Sequence, residues 1–317
     1  MGGFPVRRLQ CGGVVWIDLE KPKREEVTEL GKLFPFHPLN LDDCLSRTQL
    51  TKLERHEDHI FLVVRFPVKC GDLSCSPSQI SFFLGKDYLV TIHDGSIAAI
   101  KEVFNSCDTL VKQNQKVTWD GVGSLFYTIV SKIVDSLFPV MENLMDRIED
   151  LEDKIFSEQH DALFEVANLR RSVSDLRRII SPFRKVVADI SIAVSEVTRD
   201  DLKVYFDDVK DRVERIWELS ETCKELVEIF KDTDFTIYQR HMNRALVILT
   251  VIFTITIPAT IVGTFYGMNI PMPGSAVEMT EGLPTFLGPW TTFIFVLLIS
   301  FLPAALMLAY FKKIGWM

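Results

Sequence analysis

Residues 245–277 contain no Asp, Glu, Lys or Arg, and neither do residues 282–311. A helix crossing a hydrocarbon core needs about 20 mainly apolar residues, and Ala245–Tyr266 and Trp290–Phe311 both supply them. Two buried core helices are the alternative, but core helices are usually shorter and rarely lack charge for so long. Of the 35 basic and 43 acidic residues, all but Glu278, Glu281, Lys312 and Lys313 precede Ala245. A charged soluble body therefore carries a nearly uncharged tail, which argues against a purely soluble enzyme. The net charge of −8 argues against a basic nucleic-acid binder.

The flanks set an orientation. Arg240, His241 and Arg244 precede the first span, Lys312 and Lys313 follow the second, and the loop between has no Lys or Arg. The positive-inside rule puts both termini in the cytoplasm and the loop outside, in a multi-pass protein of the cell membrane. Pro258 and Pro303 sit mid-span, where neighbouring helices in a membrane re-satisfy the freed carbonyl. The start, Met1-Gly2-Gly3-Phe4-Pro5-Val6, shows no apolar signal-peptide core. All six cysteines then lie on the reducing side, so disulfides are not expected. Cys70 and Cys75 lack the second pair or the histidine that would complete a zinc site.

The first part of the chain reads as mixed α/β. Val14–Leu19 is a strand candidate and Arg24–Leu33 suits a helix. Leu50–His56 and Ile60–Phe66 bracket a polar turn whose His56-Glu57-Asp58-His59 cluster reads as solvated rather than metal-binding. Ile80–Leu84 and Tyr88–Ile92 flank Gly85-Lys86-Asp87, the composition of a hairpin loop. From Thr118 the pattern turns helical, with apolar residues at spacings of three and four through 121–156 and 159–198. No phosphate loop, nucleophile elbow or paired-carboxylate motif stands in a convincing context, so no enzyme is expected.

The stretch leading to the first span is the most regular. Leu202, Phe206, Val209, Val213, Ile216, Ser220, Cys223, Val227 and Phe230 repeat with a seven-residue period, which favours helix packing along a seam. That seam serves either contacts between copies or packing within one chain. No proline interrupts residues 200–257, so one helix of about 100 Å can run from residue 200 to 265 at 1.5 Å per residue.

Two spans cannot enclose a pathway, so any pore needs several copies around an axis. The first span carries Thr250, Thr254, Thr256, Thr260 and Thr264 between Asn243 and Asn269 and is the better lining. The alternative is that the threonines bond back to their own helix. The span closes in Tyr266-Gly267-Met268-Asn269. A Gly-Met-Asn tripeptide ending the first of two C-terminal spans resembles the signature of the CorA family of magnesium transport proteins. The resemblance covers the whole chain.

It implies a funnel-shaped homopentamer: an α+β cytoplasmic domain (1–117), a helical region (118–199) and a very long stalk helix (200–244). These lead to a first transmembrane helix (245–269), an external loop (270–289), a second transmembrane helix (290–311) and a basic cytoplasmic end (312–317). The implied activity is Mg²⁺ influx through a central pore gated by cytoplasmic Mg²⁺, with Co²⁺ or Ni²⁺ as substitutes. Gly267, Met268 and Asn269 would form the ion filter, and Asn243, Leu249, Ile257 and Thr260 the pore lining and gate. Mg²⁺ gives up its waters reluctantly, and a ring of neutral amide oxygens holds a hydrated ion without trapping it. One departure is Met272-Pro273-Gly274-Ser275, where family members often carry an acidic Met-Pro-Glu-Leu segment. A Zn²⁺ transporter on the same scaffold and a membrane-anchored coiled-coil scaffold protein are the competing readings.

Asp208 matches a stalk aspartate that in CorA relatives helps bind regulatory Mg²⁺ between subunits. Its partner in the N-terminal domain is not readable from the sequence. A second acidic run, with Glu142, Asp146, Glu149 and Asp150, is either a further metal site or a solvated helix face.

Overall fold

The computed structural model describes residues 6–11, 13–46, 49–70, 75–113, 119–157, 162–198, 200–268 and 291–315. It divides into two compact units, Met1–Asp234 and Phe235–Met317.

The first unit opens with strands β1 (Val6–Cys11) and β2 (Val14–Glu20), then helices α1 (Arg24–Leu33) and α2 (Pro38–Leu45). Strands β3 (Lys52–Arg55), β4 (His59–Cys70), β5 (Cys75–Gly85) and β6 (Tyr88–His93) follow, and helix α3 (Ala98–Lys112) comes next. The six strands form one sheet in the order β1-β2-β6-β5-β4-β3. Only β2 and β6 run parallel. Both faces of the sheet are covered, which is why Ile60–Val64 is a continuous apolar run with every residue buried. Ile17, Leu19, Phe61, Phe83 and Val90 form a core with Leu30 of α1 and Phe36. On the other face Trp16 meets Phe104 of α3 edge-on at 4.9 Å.

That second face also buries a charge. Asp18 is fully buried and accepts hydrogen bonds from Thr91 Oγ1 at 2.5 Å and His93 Nε2 at 3.1 Å, and it pairs with Arg7. Trp16 Nε1 donates to the same Thr91 hydroxyl at 3.1 Å. The Gly95 N–H donates to His93 Nδ1 at 2.9 Å, which leaves the ring proton on Nε2, facing Asp18. Burial alone would raise the Asp18 pKa. The His93 and Thr91 hydrogen bonds and the positive charge of Arg7 outweigh it and hold the carboxyl below its ordinary value.

The helical part comprises α4 (Val122–Asp135), α5 (Phe138–Phe156), α6 (Ala162–Thr198) and the first half of α7 (Lys203–Tyr266). The expected helix over 121–156 is broken at Ser136–Leu137, just before Pro139, which lacks the N–H a continuing helix needs. Gly123 lets the start of α4 come close to the segment before α7: a Cβ there would lie 2.6 Å from Leu202 Cδ1. All nine seam residues, Leu202 to Phe230, are buried within the single chain. The seam therefore packs inside one subunit, the second of the two uses open to it.

Antiparallel α6 and α7 are joined by a charged ladder. Arg177 forks onto Glu221, Arg184 Nε reaches both Glu214 oxygens at 2.7–2.8 Å, and both guanidinium groups lie over the Trp217 ring.

Two expectations are corrected. Cys75 is disulfide-bonded, and the β4–β5 register sets Cys70 directly across from it. His59 is not solvated. As the first residue of β4 it is buried, its Nδ1 lies 2.6 Å from Asp58 Oδ1, and its ring stacks on His56 at 4.5 Å.

In the second unit the rest of α7 is followed by α8 (Thr291–Ile314). Among the described residues, two helical stretches are long and apolar enough to cross a membrane, Val122–Phe156 and Lys203–Phe265. The first is 44% buried over its apolar window and serves as packed core; the second has no buried residue in that window. Among the described side chains of α8, Ser300, Ala304 and Phe311 are buried along one narrow stripe, while Leu298, Phe301, Leu302 and Leu306 are exposed.

Removing the buried carboxylate tests the Asp18 network. Asp18→Asn should lose about 3 kcal/mol at neutral pH, the usual cost of breaking a buried pair. Because the folded pKa lies below the unfolded value, the carboxylate stabilises fully above about pH 4 and loses this effect as pH falls through the lowered value. Thermal melts at pH 7 and pH 3 should show the gap between wild type and variant narrowing in acid.

Candidate functional site

The residues expected to line a pathway all sit on the second half of α7. Asn243, Leu249, Ile257 and Thr260 are exposed, Leu249 at 47% and Ile257 at 51%. In a helix of 3.6 residues per turn they fall within an arc of about 120°. A single apolar helix face of this kind encloses nothing by itself. It requires lipid or another protein surface, because large exposed apolar faces do not persist in water.

The five threonines behave as the plainer alternative holds. Thr250, Thr254, Thr256, Thr260 and Thr264 each donate to the carbonyl four residues earlier, at 2.6–2.8 Å. Their hydroxyl protons are committed, so what Thr260 can turn outward is an oxygen lone pair. That is an acceptor, suited to the water shell of a cation.

At its C-terminal end α7 closes tightly. The Gly267 N–H donates to Gly263 O at 2.9 Å and the Met268 N–H to Phe265 O at 3.2 Å. A Cβ at Gly267 would stand 3.1 Å from the Gly263 carbonyl oxygen. A side chain here would crowd that carbonyl, and glycine avoids the contact. Met268 is half-exposed. Asn269, the last member of the tripeptide, lies outside the described residues, as do Glu278 and Glu281 of the loop.

In the first unit Asp208 stands on α7 with its side chain 61% exposed. It is not a bare carboxylate. Arg212, one turn on, reaches Asp208 Oδ2 at 2.8 Å through Nη2, Asp135 Oδ1 at 2.5 Å through Nη1, and Ser131 Oγ at 3.0 Å. Burial would lower the Arg212 pKa, but the Asp135 hydrogen bond and the charges of Asp135 and Asp208 raise it above its ordinary value. Beside this pair, Tyr127 meets Tyr205 at 5.2 Å and Phe126 meets Phe206 at 5.9 Å, fixing α4 against α7. Arg212 went unread in the sequence, although its i,i+4 spacing from Asp208 is the signal that marks such a pair. Asp135 and Ser131, on another helix, carry no such signal.

Glu142, Asp146, Glu149 and Asp150 are all exposed on α5, whose buried stripe is Met141, Leu144, Ile148, Leu151 and Ile155. Among the described residues no group of three or more His, Cys, Asp or Glu side chains is placed to hold a metal ion.

Comparison with known proteins extends this picture. The family described as CorA-like Mg²⁺ transporter protein matches residues 12–313. The cobalt/magnesium transport protein CorA of Thermotoga maritima is 26% identical over 306 residues, covering 95% of this chain and 83% of that protein. Among solved structures, the CorA magnesium transporter of Methanocaldococcus jannaschii superposes with a TM-score of 0.78 at 24% identity, over 96% of this chain and 92% of its own. The cytoplasmic domain of ZntB from Vibrio parahaemolyticus gives 0.53 at 14% identity, over 72% and 88%. The soluble α/β domain and the long helix are thus a shared fold.

The tight helix end makes a checkable claim. Gly267→Ala should open the last turn of α7 at a cost of about 1 kcal/mol, the lower range for overpacking. Hydrogen–deuterium exchange of the Gly267 and Met268 amides in detergent should then speed several-fold; unchanged exchange would show that the turn absorbs a methyl group.

Proposed function

Because the chain belongs to the CorA-like Mg²⁺ transporter family, we propose that it carries Mg²⁺ into the cell through the axial pore of a homopentamer, with Co²⁺ or Ni²⁺ as substitutes. Members of this family are divalent-cation transporters of membranes. The observation that carries the reading is α7 from Ala245 onward: this part carries no charged residue, the helix has no buried residue in its apolar window, and the sequence there closes in Tyr266-Gly267-Met268-Asn269. In this reading 245–269 and 290–311 span the membrane, both termini are cytoplasmic and 270–289 lies outside.

Each pathway residue then has a task. Five Asn269 amide oxygens, with the Gly267 carbonyls, hold the ion through its water shell, since Mg²⁺ keeps near-octahedral hydration. Met268 packs behind them. Thr260 offers acceptor oxygens, and Leu249 and Ile257 form apolar constrictions that stop flow by dewetting. Asn243 marks the cytoplasmic mouth. Asp208 binds regulatory Mg²⁺, so that a falling internal concentration releases the closed state. The α5 acids Glu142, Asp146, Glu149 and Asp150 fit a solvated face better than a metal site.

Flux into proteoliposomes, compared for Mg²⁺ and Zn²⁺, tests the whole reading. Preference for Zn²⁺ would favour a Zn²⁺ transporter on the same scaffold. No divalent flux at all would leave a membrane-anchored scaffold.

Two variants test the parts. Asn269→Ala should lower Mg²⁺ uptake on the order of tenfold or more, as expected for loss of a filter ligand, while the oligomer still assembles; normal uptake by an assembled mutant would remove Asn269 from the filter. Leu249→Asn should wet the constriction and raise the current measured at high internal Mg²⁺. An unchanged closed-state current would refute the dewetting gate.

A further inference from the structure

We propose that Arg212 is a resident competitor of the regulatory cation, setting how much cytoplasmic Mg²⁺ is needed to occupy Asp208; this rests on the regulatory role given to Asp208 above. Two carboxylates from different helices, Asp208 on α7 and Asp135 at the end of α4, converge on one guanidinium at 2.8 and 2.5 Å. Ser131 accepts from the same Nη2 at 3.0 Å, so the fork is held from a third side. The Arg212 side chain is only 20% exposed, whereas Asp208 and Asp135 are 61% and 47% exposed. The positive group is tucked between the helices and its carboxylates face the water from which an ion would arrive.

Arginine suits such a post because it does not deprotonate at any physiological pH. It also presents its donors in a fixed planar fork that fits carboxylates. An ion binding Asp208 must either share the carboxylate with that fork or displace it. In both cases it meets a positive charge that no change of pH removes. The resident charge therefore weakens Mg²⁺ at Asp208 and moves the sensing range to higher concentration. Displacement would also release the Asp208 side of the fork while Asp135 and Ser131 keep Arg212 on α4, which couples ion binding to the α4–α7 contact.

The test is protection of the purified full-length protein from proteolysis, titrated with MgCl₂. The half-protective Mg²⁺ concentration should fall about five- to tenfold in Arg212→Ala, the lower range of such couplings. It should stay near wild type in Arg212→Lys, which keeps the charge. In an Asp208→Asn background the Ala substitution should shift nothing. A thermal melt accompanies each variant, and Arg212→Gln, which keeps a donor, replaces Ala should that variant not fold.

An unchanged or raised half-protective concentration in Arg212→Ala overturns the proposal, and so does an equal shift in the Asp208→Asn background. A wild type whose protection ignores Mg²⁺ refutes the regulatory role of Asp208 itself, and this proposal with it. Mg²⁺ dependence that Asp208→Asn abolishes and Arg212→Ala leaves alone sinks only the role of Arg212.

Discussion

One helix meets two environments. From Leu202 to Phe230 a seam of nine residues leading into and along α7 is buried against its own chain, and from Ala245 the helix has neither charge nor burial. The same 3.6-residue geometry serves both halves, and side-chain chemistry alone decides what surrounds each. The first half is satisfied by α4, α5 and α6, through the Phe126–Phe206 contact, the Met145–Cys223 contact and the Arg177–Glu221 fork. The second half asks for lipid or another protein surface. Everything proposed about transport follows from that unmet requirement.

Charge is sorted along the chain in the same manner. Carboxylates sit where water or a guanidinium can answer them, as at Glu214, Glu221 and Asp208. The apolar half of α7 offers only neutral oxygen. A doubly charged, strongly hydrated ion moves through neutral dipoles more freely than through fixed anions, which would bind it and hold it. In the function proposed above, acids serve sensing and neutral amides serve passage.

What was legible in the sequence had short-range causes. The strand at Val14, the helix Arg24–Leu33, the turn at Gly85-Lys86-Asp87 and the nine-residue seam each follow from local periodicity or turn chemistry, and the structure has them all. Strand β1 and helices α2 and α3 went unread, because they are short or sit in unremarkable composition. The sequence could not say whether the seam paired copies or folded back, since a heptad reports a packed stripe and not its partner. Asp208 was placed through the family resemblance, but Asp135, which shares its guanidinium, lies 77 residues from Arg212. Long-range pairs of that kind leave no mark on a single sequence. Cys75 differs for another reason: the compartment argument speaks to redox poise, whereas the β4–β5 register makes Cys70 and Cys75 partners on neighbouring strands.

The parallel pairing of β2 with β6 joins strands far apart in the chain. Asp18 lies beside Thr91 in that register, and β2 has no other neighbour but β1. A two-stranded ribbon is marginal in water, and closing so long a loop is slow. The β1–β2 ribbon therefore depends on β6, which ends at His93, for the rest of its sheet contacts. The buried Asp18 carboxylate thus gains its hydroxyl and imidazole donors together, from one strand 73 to 75 residues further along the chain.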